Sequence, residues 1–475
     1  MFLMERSARF QKSEALRRSH IGFVWACSLL RVQPMLKLRA VTGTLFALAA
    51  GSLAIACGSG TSDPTGRGDG TNAEGHRSVR SSLSRNPSPN ASPAQMEALA
   101  DGNHALTLDL YRATAESGEN AVMSTLSIRT AFAMVYAGAR STTAQEMSDV
   151  LRFDPDQERF HQAMNALDLA LAARELPADP TEDLDPVDLR QANAFWGQEG
   201  VAWRDDYLDT LAAHYGAGIE SLDLQGQSER SRGIINDWVE DRTRDRIKDL
   251  LPEGSIQSNT VAVLTNAIYF KAPWLSPFEE ELTQTADFNR VDGTMSQVDY
   301  MSQLGDYGHA DGEGWTAVEL PFRGDELSMV IVVPDEGEFQ TFDAQLSTES
   351  LDSALSSLAP AMVDLSLPKF SFEAGFTLSD ALTDLGMTET FDGRADLTGM
   401  VEDRSLYVDE AYHKAFIAVD ESGAEAAAAT AVVVGSTSVP VADFTVTVDR
   451  PFYFIIRDRP TQTWLFFGRV LDPAS

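Results

Sequence analysis

The side chains able to do covalent or metal chemistry in this chain are sparse, and their spacing narrows what they could do. The seven histidines, His20, His76, His104, His161, His214, His309 and His413, are scattered, without the paired spacing that holds a metal. A Ser or Cys nucleophile needs a base positioned beside it. No G-x-S-x-G elbow, H-E-x-x-H helix, Gly-rich phosphate loop or Cys-pair motif occurs. The expectation is therefore a non-enzyme with no catalytic residue, no metal and no cofactor. What the chain does offer is a stretch of small side chains with conflicting conformational preferences. Glu421 to Ser438 reads ESGAEAAAATAVVVGSTS. Four alanines, Ala426 to Ala429, favour helix, whereas Val432-Val433-Val434 favours a strand. Gly435-Ser436-Thr437-Ser438 then ends the segment as a loop tip. Side chains this small could slide between two packed strands, so the composition fits two conformations, exposed loop and buried strand.

The remainder of the chain must position that stretch. A net charge of −34 argues against nucleic-acid or heparin-like polyanion partners. The two cysteines, Cys27 and Cys57, lie outside the region expected to fold, so no disulfide framework is available. Lys37 and Arg39 precede an apolar run from Val41 to Ala56, the pattern of a secretory signal and too short for a membrane span. Leu53-Ala54-Ile55-Ala56-Cys57 resembles a bacterial lipobox, with the Leu one place further upstream than usual. It implies lipidation at Cys57; an ordinary signal peptide with an incidental Cys is the alternative. Residues 1–34 read as an upstream extension, 35–56 as the signal, 57–94 as a disordered tether and 95–475 as one folded domain.

Within that domain, Met96, Leu99, Ala100, Leu106, Leu108 and Leu110 predict an opening amphipathic helix, and Ile128, Ala131, Met134 and Val135 a second. Thr142 with Gln145 predicts a capped third. Further helices are expected over Arg204–Tyr215 and Ser231–Asp249. Strands follow. Thr260–Phe270 reads as a strand covered on both faces, Ala317–Leu320 and Leu327–Val333 as a hairpin, and Leu365–Phe372 as a strand with a register break near Pro368. Phe444, Val446 and Val448 alternate with polar residues, and two buried closing strands are expected at Phe452–Ile456 and Trp464–Val470. Helices first and sheets later give an α+β domain.

The stretch from Glu421 resembles the hinge and reactive-centre loop of an inhibitory serpin, and the Leu406–Ile417 segment resembles the strand that feeds it. Asn120–Ile128, Ile235-Asn236-Asp237-Trp238-Val239, Thr265–Trp274, Leu367-Pro368-Lys369-Phe370 and Asp449-Arg450-Pro451-Phe452 are similar to other family segments, in the family's order and spacing. Thr125 stands where Pro is usual. The resemblance implies the serpin fold: about eight or nine helices, three β-sheets and an exposed reactive-centre loop. It also implies suicide inhibition of serine proteases, in which the cleaved loop enters the main sheet and traps an acyl-enzyme.

By the same resemblance, Glu421, Gly423, Ala424, Glu425, Ala426, Ala427, Ala428, Ala429 and Thr430 form the hinge. Ala424 replaces the usual Thr or Ser, and Glu425 is expected to point to solvent, on the other face, once the hinge has entered the sheet. Gly423 to Thr437 would span roughly 45–50 Å as a strand. Family spacing places the scissile bond at Thr437–Ser438, and its small residues suit elastase-like or subtilisin-like targets better than trypsin-like ones. Ser124, Ser127, Asn266 and His413 are expected as a polar cluster beneath the main sheet, the family's shutter. Trp274 is expected near the top of that sheet, with an ordinary core Trp as the alternative. Asp154, Asp156, Asp179, Asp183 and Asp185 fill the region where heparin-regulated relatives are basic. The implied partners are serine proteases and, through the lipid, a membrane. The implied state is a monomer on the cell envelope, its sorting to the outer membrane favoured by Gly58 in place of Asp, or an extracellular one. A non-inhibitory serpin that binds or chaperones, and a hydrolase, remain alternatives.

Overall fold

A computed structural model describes residues 75–180, 184–402, 406–425 and 441–475. Cys27, Cys57, Asp183, Ala426, Ala427, Ala428, Ala429, Thr430, Thr437 and Ser438 lie outside the described residues. Nine α-helices and sixteen strands occur among the described ones. The first half runs β1 (Arg77–Val79), α1 (Pro93–Thr114), β2 (Ala121–Met123), α2 (Thr125–Tyr136), α3 (Ser141–Leu151) and α4 (Gln157–Ala172). It continues through β3 (Asp188–Gln198), α5 (Asp205–Tyr215), β4 (Ile219–Leu222), α6 (Ser228–Arg242) and β5 (Ala262–Pro273). Next come β6 (Gln284–Asn289), β7 (Met295–Gly312), β8 (Trp315–Pro321), β9 (Leu327–Pro334), α7 (Phe339–Gln345) and α8 (Thr348–Ser357). The chain then forms β10 (Ala359–Pro368), β11 (Phe370–Thr377), α9 (Leu378–Asp384), β12 (Glu410–Val419) and β13 (Gly423–Ala424). It closes with β14 (Phe444–Thr447), β15 (Phe452–Asp458) and β16 (Thr463–Val470).

The main sheet has the order β1-β4-β3-β5-β13-β12-β11, and β5 also pairs directly with β12. The other sheet runs β14-β10-β7-β8-β9-β15-β16-β2, with β6 on β7. The three sheets expected are hydrogen-bonded into two because β7 serves both parts of the second. β10 pairs with its residues 300–309 and β8 with its residues 308–312.

Strand alternation explains how the main sheet is buried on both faces. Leu264 and Ile268 of β5 join the large core with α2, while Val263 and Ala267 face a second core. That second core is built by Ile235, Trp238 and Val239 of α6 and by Ile247, Leu250 and Ile256 after it. Asn236 ties helix to covering segment: its Nδ2 donates to the Leu251 carbonyl at 3.0 Å and its Oδ1 accepts from the Leu251 N–H at 2.9 Å.

Four local expectations need correction. α6 ends at Arg242 rather than Asp249, because Arg244, Asp245 and Asp249 take left-handed φ angles of 52°, 63° and 49° that no α-helix continues. α3 has no side-chain cap: its N-cap is Arg140, and Ser141 at φ 53° starts the turn. The break near Pro368 is a change of sheet, with β10 and β11 in different ladders on either side of Lys369.

The fourth correction concerns the tether, whose last part is ordered. β1 adds an antiparallel edge strand to β4. His76 is buried, with Nε2 3.1 Å from Glu220 and its ring edge-on to Trp196 at 5.1 Å. Arg80 also reaches Glu220, at 3.0 Å, and these cationic and polar partners outweigh burial to hold its carboxyl below the usual range. Further on, Arg85 reaches Asp168 at 2.6 Å and Asn86 N–H donates to the Ala213 carbonyl at 2.8 Å. The low hydrophobicity that predicts disorder is overcome here by strand pairing and charged hydrogen bonds. Replacing His76 by Ala should leave the Glu220 carboxylate short of a partner in a covered site. The expected loss is about 2 kcal/mol of stability, read as a lowered denaturation midpoint; an unchanged midpoint would mean this segment merely rests on the surface.

Candidate functional site

Two features of the main sheet converge where β5 meets β12. The first is a polar row crossing four strands. Asn193 of β3 stands opposite Asn266 of β5, Asn266 opposite His413 of β12, and His413 opposite Phe376 of β11. All face the α2 side. His413 is fully buried, and burial pushes its imidazole down to about 3, so the ring is neutral. Its Nε2 accepts the Ser124 N–H at 3.1 Å, which leaves the proton on Nδ1 to donate to Asn266 Oδ1 at 2.5 Å. Asn266 Nδ2 then donates to Ser127 Oγ at 2.7 Å and Asn193 Oδ1 at 2.8 Å. Ser127 Oγ donates to Asn193 Oδ1 at 3.0 Å and the Ser127 N–H donates to Ser124 Oγ at 3.3 Å, closing the network at the N-cap of α2. The structure therefore brings Ser124, Ser127, Asn266 and His413 together as expected. Asn193 is the member that sequence reading missed. An amide at an inward position of β3, between Leu189 and Phe195, was the available signal.

The second feature is the hinge. β5 and β12 pair in parallel over six residues, Val263–Ile268 against Glu410–Ala415. Above them the gap is filled by β13: Gly423 and Ala424 pair with Pro273 and Ala272 of β5, and Ala424 with Val419 of β12. A tight turn folds the chain back, with Asp420 Oδ1 accepting the Ser422 N–H at 2.9 Å and the Gly423 N–H at 3.2 Å. Glu421 is pinned by Lys369 at 2.8 Å and by Thr283 Oγ1 at 2.6 Å; these outweigh burial and hold its carboxyl below the usual range. Trp274 occupies the same corner. Its indole Nε1 donates to the Asp420 carbonyl at 2.9 Å, and its ring stacks on Phe322 at 4.6 Å. It is a buried core residue that is also bonded to the turn before β13.

Gly423 has a physical reason. At φ +154° its backbone passes so close to β5 that a Cβ would lie 2.2 Å from the Ala272 carbonyl oxygen. Ala424 is 1% exposed, so only a very small side chain fits there. Glu425 stands just beyond the paired residues. β13 ends after two residues, Glu425 turns with a left-handed φ of 50°, and its carboxylate pairs with Arg246 of the segment after α6. It is largely covered rather than facing solvent, and burial holds its carboxyl above the usual range.

Two outcomes follow from this geometry. The imidazole of His413 gains a proton only when its environment opens, so the unfolded chain binds more protons between about 6.5 and about 3. Stability is therefore intact above the ordinary histidine range and falls as pH drops below it; His161 and His104, lowered by burial to about 3 and about 4, act in the same direction. Lowering pH from about 6.5 to about 5 should cost about 2 kcal/mol per such histidine. His413→Gln should flatten that dependence in denaturation midpoints measured across pH, and an identical slope would place the titrating groups elsewhere. Gly423→Ala should expel β13, raising the rate of limited proteolysis between Val419 and Glu425.

The comparisons with known proteins agree with this architecture. The family model described as Serpin (serine protease inhibitor) matches residues 101–473. Human Serpin B3 is 36% identical over 391 residues, covering 80% of this chain and 100% of that protein. The pig leukocyte elastase inhibitor is 35% identical over 390 residues, with 80% and 100% covered. The native-state structure of the thermophilic serpin tengpin superposes with a TM-score of 0.71 at 26% identity, covering 84% of this chain and 99% of that one. A main sheet with a polar row under its central seam, a hinge entering the top of that seam, and a family match over the whole folded domain lead to one conclusion: the chain belongs to the serpin family.

Proposed function

We propose that this serpin is a suicide inhibitor of serine proteases with small-residue specificity, elastase-like or subtilisin-like. The observation that carries the reading is the seating of Gly423 and Ala424 between β5 and β12. Gly423 is paired with β5 and Ala424 with both β5 and β12, and the parallel β5–β12 pairs below are what further insertion would replace. Attack at Thr437–Ser438 forms an acyl-enzyme and frees the N-terminal part of the loop. Hinge residues Ala426 to Thr430 then follow Ala424 into the seam as a new strand. Each loop residue that enters exchanges a solvated backbone for a paired one, so insertion is downhill. The protease is carried with the loop, and distortion of its oxyanion hole stops deacylation. The shutter residues break and re-form hydrogen bonds as β12 separates from β5, and perform no covalent chemistry.

Support comes also from the elastase inhibitor among the relatives and from the small residues of the loop. Export through residues 35–56, lipidation at Cys57 and a monomer held at the cell envelope complete the reading; Cys57→Ser should release the protein from the membrane fraction. Net charge of −34 argues against activation by heparin-like polyanions.

Mixing the protein with elastase tests the central claim. An SDS-resistant covalent complex is expected, and the clipped protein should unfold at a markedly higher temperature than the intact one. A nicked loop without complex, together with an unchanged midpoint, would favour a non-inhibitory binding role instead. Ala424→Arg should convert inhibitor to substrate, since a guanidinium buried at that position without a partner costs several kcal/mol; cleavage should persist while complex yield drops at least about tenfold.

A further inference from the structure

The fold brings together two histidines that the sequence keeps well apart. His161 lies in α4 and His214 in the last turn of α5, and both are buried. Their ring centres are 5.9 Å apart, with the planes tilted by 33°. His161 Nδ1 is hydrogen-bonded to the Tyr215 hydroxyl at 2.6 Å. The other nitrogen of that ring, Nε2, and Nδ1 of His214 are both enclosed and meet no hydrogen-bond partner. A buried polar atom without a partner is costly, and here two of them sit on neighbouring imidazoles. Neutral imidazole nitrogen is also a favoured ligand of late first-row metals. With nitrogen–metal bonds of about 2.1 Å, two imidazoles on one ion hold their ring centres about 5–6.5 Å apart. The observed separation falls inside that range.

We propose that His161 Nε2 and His214 Nδ1 together bind one late first-row divalent metal ion, which cross-links α4 to α5. A ligating histidine usually donates its second N–H to a fixed partner, which sets the tautomer and aims the ring. Donation from His161 Nδ1 to the Tyr215 hydroxyl oxygen is such a bond, and it leaves the lone pair of Nε2 for the metal. Glu158, one turn before His161 on α4, favours positive charge at His214. Arg85 acts against it, but is itself paired with Asp168 at 2.6 Å. Arg140 acts against positive charge at His161 and is turned to the carbonyls of Ala137 and Ala139. The net charge of −34 draws cations to the molecule as a whole. Among the described residues no cluster of three or more His, Cys, Asp and Glu side chains is placed to hold a metal, so water fills the remaining coordination positions. Two imidazoles with water favour Cu²⁺ over Ni²⁺ and Zn²⁺. Spacing along the chain conceals the pair, because each ligand comes from a different helix. The site does not depend on the inhibitory reading above.

Cu²⁺ titrated into the metal-free full chain, followed by calorimetry and electron paramagnetic resonance, tests the site. One equivalent is expected to bind, with splitting from two imidazole nitrogens, whereas Mg²⁺, which prefers oxygen ligands, should give no binding heat. His214→Ala should weaken Cu²⁺ at least about tenfold and reduce the splitting to that of one nitrogen. His309→Ala, on β7, should bind as the parent does. Tyr215→Phe keeps both ligands but removes the bond that aims His161, and should weaken Cu²⁺ about tenfold. Absence of one-equivalent binding, or a two-nitrogen splitting that survives His214→Ala, would overturn the site. Should His214→Ala not fold, an affinity left unchanged by Tyr215→Phe would overturn it in the same way.

Discussion

Everything in this molecule is arranged around one weak boundary, the six-residue parallel pairing of β5 with β12. A main sheet could have been closed there by apolar side chains alone. Instead the seam is backed by an imidazole, two amides and two hydroxyls, each satisfied by the next. Such a network has a fixed geometry and loses much of its value when one member moves, because buried polar groups left without partners are costly. It therefore holds the two strands at a fixed spacing.

The elements around the seam brace it from its covered face, its outer strands and its top. α6 and the segment after it cover one face, and the Asn236–Leu251 pair of hydrogen bonds keeps that cover in place. The N-terminal segment supplies the edge strand β1 and ties β4 to the helices through Glu220, Asp168 and Ala213. At the top, β13 already separates β5 from β12, with Trp274, Lys369 and Thr283 bracing the turn that leads into it. The Arg246–Glu425 pair joins the end of the hinge turn to the covering segment. A serpin that acts by loop insertion needs this combination: a start already made and a seam that resists until the loop is cut.

Much of the architecture was legible in the residues because local rules and tertiary demands agree there. The all-apolar run of β5, the alternation of β12 and the hairpin around Phe322–Glu326 each carry a period that only one element satisfies. The misreadings cluster where backbone conformation or long-range pairing overrides composition. Left-handed residues at 244, 245 and 249 stop a helix whose side chains would have allowed it to continue. A polar, Gly-rich stretch before Pro93 gains a strand because an unpaired edge of β4 is waiting for it. Glu425 leaves the expected alternation because β13 is only two residues long and a guanidinium lies within reach.

From the sequence alone came the family and four of the five side chains of the polar row, since each is specified by residue type at a given place in the chain. Small residues at Gly423 and Ala424 are a local signal, and so is the inward histidine of β12. The tertiary structure alone decided which proton His413 carries, that Asn193 completes the row, and that the hinge is already seated rather than free. These depend on groups 66 to 289 residues apart in the chain meeting within hydrogen-bond distance, and neither periodicity nor propensity encodes a distance between segments.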